Sequence, residues 1–216
     1  MDNKKSFLEM AKDHQAGDML VQGVWDTCSV GCFNREYGNE IHDFEALAVS
    51  TGYPEWTHRV QESVFEGLPK DDARNWHVQF AQKMETVKDF DALYHSFMIG
   101  VLEVALPHGK HSVIQPVIDL HKNYKNTTPD EWKETEDAAN YEADSMLYRS
   151  SPTWAAASAA NAAANAKTSS AAAAARTAVR AVEVARATEG LEVQGSAVFK
   201  AWQKIGDGFL NAPGGE

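Results

Sequence analysis

The chain reads as an all-α protein, a compact multi-helix domain packed with a long alanine-rich helix and a C-terminal helix. Three observations predict this. Apolar residues recur three and four apart through successive segments, each bounded by Gly, Pro or a Ser/Thr cap. No β-branched run alternates with polar residues over a strand's length. From Thr153 to about Thr188, roughly half the residues are alanine and neither glycine nor proline interrupts them, which strongly favours helix.

The elements follow in order. Ser6 to about Val21 places Phe7, Met10, Ala11 and His14 at helical spacing with Gly17 interrupting, giving one or two short helices. Val24 to Gly38, rich in small residues around Cys28-Ser29-Val30-Gly31-Cys32, reads as the main irregular region. Glu40 to Thr51 is a short helix stopped by Gly52, and Pro54 suits the first turn of the next, which runs to Gly67-Leu68-Pro69. Asp71 to Met84 follows. Phe90 to Leu106, with Leu93, Phe97, Met98, Val101 and Leu102, is the most apolar segment and the expected central core helix. Ser112 to Tyr124 is shorter. Thr128, Pro129 and Glu131 then supply a cap, a first helical residue and a capping-box partner for an acidic helix reaching about Tyr148.

Ser151-Pro152 starts the alanine tract, which at about 1.5 Å per residue would be a rod of roughly 50 Å ended by Gly190. Ser158, Asn161, Asn165, Ser169, Arg176, Arg180 and Glu183 mark its polar stripe. A buried alanine methyl contributes only about 0.8 kcal/mol, so close approach of the acidic helix or the last helix, about Val193 to Leu210, is expected to hold it.

Charge divides the chain. Of a net −11, residues 1–150 carry 14 Lys/Arg against 26 Asp/Glu, and residues 151–216 carry 6 against 5. The expected organisation is therefore an acidic helical domain over 1–150 and an alanine-rich part over 151–216, packed together as one globular unit. The acidity argues against direct nucleic-acid binding, which needs cations to displace phosphate counterions. No apolar run reaches the roughly 18 residues of a membrane span, and no signal-peptide core follows Met1, so a cytoplasmic location is expected.

Chemistry concentrates in the acidic part. Cys28 and Cys32, flanked by Gly31, could join His14 or His42 in a zinc site, or one thiol could act as a nucleophile with such a base; the favoured reading is buried packing thiols and no metal. His14 and Asp18, four apart, could share a helix face, as could Glu62 and Glu66, and these four with Cys28 and Cys32 are the candidate ligand-binding groups. His95, His108, His111 and His121 show no ligand pattern and read as structural, as do most of the six tryptophans. Asp130, Glu131, Glu134 and Asp137 are the candidate partner-binding residues, a charge array able to imitate nucleic acid.

Lys12-Asp13-His14, Asp18, Val21-Gln22-Gly23, Cys28-Ser29-Val30-Gly31-Cys32, Tyr53-Pro54-Glu55-Trp56, Glu62 and Phe65-Glu66-Gly67-Leu68-Pro69, followed by an alanine-rich tail, resemble a group of phage and bacterial proteins with no assigned activity. The group shares a Gly-Cys-x-x-Gly-Cys core, an "IPEW"-like helix start and an "FEGLP" helix end. Thr27 stands in place of its first glycine, and Phe33-Asn34-Arg35 where a histidine is expected, which weighs against a catalytic or metal role for that region. The resemblance implies a phage association, hence the host cytoplasm. The leading expectation is an interaction protein that binds a host protein or a small signalling ligand, in a counter-defence role. The alternatives are a Cys- or metal-dependent enzyme near Cys28–Cys32, its cofactor unknown, and a structural homo-oligomer assembled through the alanine helix.

Overall fold

The computed structural model describes residues 5–109, 113–145, 151–165, 170–188 and 196–213. Among these the protein is all-α, with eleven α-helices and no strand. Packing divides the chain into two compact units, one reaching to Phe90 and one spanning Asp91–Pro213. This divide follows contacts rather than charge, so the acidic helix shares a unit with the alanine helices.

The first unit holds α1 (Phe7–Ala16), α2 (Ser29–Tyr37), α3 (Phe44–Thr51), α4 (Glu55–Gly67) and α5 (Lys70–Met84). Helix α5 lies against α1 and α4, while α2 packs on α3 and α4. Its core is aromatic: Phe7 stacks on Phe33 with centroids 3.9 Å apart, and Phe65, Trp76 and Phe80 are buried around them. Residues 24–38 are not irregular throughout, as the glycines suggested, because α2 begins at Ser29. Cys28 caps it, its thiol accepting from the Gly31 amide at 3.3 Å. Gly31 serves contact rather than flexibility: a Cβ there would lie 2.1 Å from the Trp25 carbonyl oxygen.

The second unit holds α6 (Phe90–Ala105, from Asp91 on), a 3₁₀ turn at Leu106–His108, α7 (Ile114–Lys122), α8 (Pro129–Ser145), α9 (Pro152–Ala164), α10 (Ser170–Thr188) and α11 (Ser196–Asn211). Helix α6 buries Leu93, Phe97, Met98, Val101 and Leu102, as expected of a core helix, and Phe97 meets Phe209 of α11 edge-on at 5.7 Å. Thr128 and Glu131 form the expected capping box at the start of α8. Ser151 caps α9 by accepting from the Trp154 amide.

The alanine tract is two helices, not one rod. Asn165 takes an extended conformation and ends α9, and α10 begins at Ser170 to pair with α9 along its length. A single rod of small side chains could bury only one stripe. Folding back lets Ala155, Ala156, Ala159, Ala160 and Ala163 of α9 and Ala171, Ala174, Ala175 and Ala178 of α10 become fully enclosed. Helix α9 also packs on the acidic α8, and α10 on α11, so both anticipated neighbours are used. Ser169, Gly190 and His111 lie outside the described residues.

Candidate metal centre

In the first unit, buried Cys28 at the N-terminus of α2 meets partly exposed Glu62 from the middle of α4 and partly exposed His42 from the turn before α3. Their ligand atoms lie within 4.8 Å of one another. Cys28 Sγ is 3.0 Å from His42 Nε2, which is 3.6 Å from Glu62 Oε1. The two contacts share one imidazole nitrogen, so the groups converge on a point. A nucleophile–base–carboxylate relay would instead place the carboxylate on the other ring nitrogen.

Local structure fixes each group. His42 sits at φ +63°, a left-handed conformation that histidine tolerates better than most side chains, and Asp43 caps α3 immediately behind it. The Trp25 ring stacks on the His42 ring at 5.1 Å. Glu62 accepts from the Val30 amide at the start of α2 through its second oxygen, 3.2 Å away. The segment leading to Cys28 is tied to the end of α4: the Gln22 amide donates to the Phe65 and Leu68 carbonyls, and the Gly23 N–H donates to Glu66 at 2.8 Å.

Burial, reinforced by the Glu62 charge, pushes the Cys28 thiol far up. Burial likewise raises the carboxyl pKa of Glu62 and lowers the imidazole pKa of His42. The cluster therefore resists negative charge on its own, while a cation among the three would favour thiolate and carboxylate together. The donor set suits zinc: with Zn–S near 2.3 Å and Zn–N near 2.0 Å, a tetrahedral site puts sulfur and nitrogen about 3.5 Å apart.

The other candidate residues are dispersed. Asp18 stands at φ +54° beyond the end of α1 and pairs with Arg74, so it shares no helix face with His14. Cys32 points away, its thiol toward the Met19 carbonyl, and burial raises its pKa to about 11. Glu66 borders the centre and raises the Glu62 pKa. On α8, Glu131 is occupied by its cap and Asp137 by Lys133, leaving Asp130 and Glu134 as exposed charges.

His14 belongs instead to a buried polar chain across four helices. His58 Nδ1 faces Gln61 Oε1 at 3.4 Å, Gln61 Nε2 donates to Ser29 Oγ at 2.6 Å, Ser29 meets His77 Nδ1 at 2.9 Å, and His77 Nε2 meets His14 Nδ1 at 3.2 Å. One assignment satisfies every link: each imidazole is neutral and the donors run from His58 toward His14. His14 Nε2 then carries hydrogen and faces Glu36 at 3.7 Å. Ser29 and Gln61 adjoin Cys28 and Glu62 in sequence, so the chain clamps the two backbones that bear the cluster. Sequence reasoning did not find it, because its members come from different helices and share no spacing.

No protein-family model matches this chain, and neither a curated protein nor a solved structure is significantly similar to it.

Proposed function

We propose that Cys28, His42 and Glu62 hold a divalent cation of the zinc class, and that the protein is a metal-dependent enzyme of hydrolytic type. The convergence of three ligand atoms of different chemistry carries this reading. Three protein ligands rather than four is the pattern of catalytic zinc sites, which keep a position for water or substrate. His42 and Glu62 are partly accessible, so such a position would open to solvent. The cation supplies Lewis acidity when bound. Glu66, one turn along α4, is the next carboxylate able to take a proton from an attacking water. Trp25, 73% exposed and stacked on His42, offers an apolar seat for substrate beside the centre.

Elemental analysis after dialysis against micromolar zinc tests the reading, with about one zinc per chain expected. His42→Ala and Glu62→Gln should lose it, and in chelator Glu62→Gln should melt no lower than wild type, since a carboxyl disfavoured by burial has gone. Ester or amide hydrolysis should disappear with chelator and return with zinc. Wild-type protein that retains no metal, or variants that retain as much, would reject the proposal.

A second reading keeps the role of a phage-type protein that binds a host protein. Exposed Val21, Val24 and Trp25, with Ile41 beside the stacked His42, favour it, because a clustered apolar surface of this kind marks interaction sites. Host-lysate capture by wild type that persists in Trp25→Ala would count against it.

A further inference from the structure

A second site lies in the Asp91–Pro213 unit, independent of the metal centre. A cavity of about 480 Å³ is walled by Tyr94 and His95 of α6, His121 of α7, Trp132 and Glu136 of α8, and the end of α9 at Ala163. The walls are mostly rings. His121 meets Trp132 edge-on at 5.1 Å, His95 lies 6.0 Å from Trp132, and Tyr94 lies 6.1 Å from His121. Tyr124 stacks behind His95 at 3.9 Å and backs that wall.

Hydrogen bonding fixes the buried imidazole. His121 Nε2 lies 3.0 Å from the Ala163 carbonyl, which can only accept, so Nε2 carries the hydrogen. His121 Nδ1 is then an acceptor and takes its hydrogen from His95 Nδ1 at 2.8 Å. His121 is thus a neutral ring whose polar atoms are spent within the protein. The charges belong to α8. Lys133 and Glu136 both lie on the wall, and Asp137 pairs with Lys133 at 2.5 Å, so this edge of the cavity carries two carboxylates to one cation.

Aromatic walls with a carboxylate at one side, and no unpaired cation among the described lining residues, select positive charge. We infer that this cavity binds a small organic cation of the alkylammonium class. An anionic ligand would meet the Glu136 carboxylate, and a neutral aromatic ligand would gain nothing from it.

Choline and its uncharged isostere 3,3-dimethyl-1-butanol, titrated by calorimetry into the full chain, test the assignment. Choline should bind, with the isostere at least tenfold weaker. Glu136→Gln should weaken choline by several-fold and leave the isostere unchanged, and Trp132→Phe should weaken choline in a correctly folded protein, checked by circular dichroism. No choline binding, equal binding of the two probes, or tighter binding of a neutral ring such as adenine would overturn it. Choline binding that survives chelator and His42→Ala keeps this site separate from the metal centre.

Discussion

At the scale of single residues, Gly31 shows how a small group governs chemistry it does not perform. The Trp25 carbonyl occupies the space where a side chain would begin. Trp25 is in turn the ring that covers His42, and the Gly31 amide is one of the contacts of the Cys28 thiol. Gly31→Ala should therefore displace the 25–28 backbone, destabilise the protein by about 2 kcal/mol or more, and weaken zinc binding in the same variant. Chemical denaturation and metal titration would check the two effects. Cys32→Ala, whose thiol points elsewhere, should leave zinc binding intact. The sequence offered His14, Asp18, Cys28, Cys32, Glu62 and Glu66 as candidate ligand groups, with His42 as one of two imidazoles that could join the cysteines, and of these the structure gathers Cys28, His42 and Glu62. The sequence could not choose between His42 and His14, since that depends on a left-handed turn at His42 and on which side of α1 faces His77. Nor did the glycines disclose that a helix starts at Ser29, because Gly31 is demanded by a neighbour three-dimensionally rather than by a turn.

At the scale of elements, the helix starts were the most legible features, since Thr128 with Glu131 and Ser151 with Pro152 are written locally. Where a helix folds back is decided elsewhere. The break after Ala164 carries no glycine or proline and arises because two alanine faces bury more of each other than either could alone. That geometry leaves little room. Ala160 is fully buried on α9, so Ala160→Leu should cost about 1–3 kcal/mol or more by overpacking. The same change at exposed Arg176 of α10, on the polar stripe, should be within about 0.5 kcal/mol of wild type. Thermal melts of both variants check this. Equal melting temperatures would mean that the two helices do not pack through those methyls.

At the scale of the whole molecule, the buried histidines set the pH response. Desolvation lowers the imidazole pKa of His58 to about 4 and of His121 to about 3, and it lowers those of His14 and His77 as well. These rings fold neutral, as their hydrogen-bonding roles require. Their stabilising effect is complete above the unfolded value near 6.5, where neither state binds the proton. Below it the unfolded chain gains protons that the folded chain refuses, so stability falls with pH until the folded pKa is reached. For His58 alone the loss between pH 6.5 and about 4 is on the order of 3 kcal/mol. Glu62 and Glu66 oppose the trend, since their raised pKa values favour the folded form as acid protonates them, but they are two groups against five imidazoles, His42 included. Melting temperature should thus fall markedly from pH 7 to pH 5, a range in which ordinary carboxylates remain largely ionised. Measured in chelator so that metal release does not contribute, a melting temperature that stays flat over this range would show that the histidines are not held neutral in the folded protein. A fall that His58→Gln reduces would assign part of it to the chain linking His58 to His14.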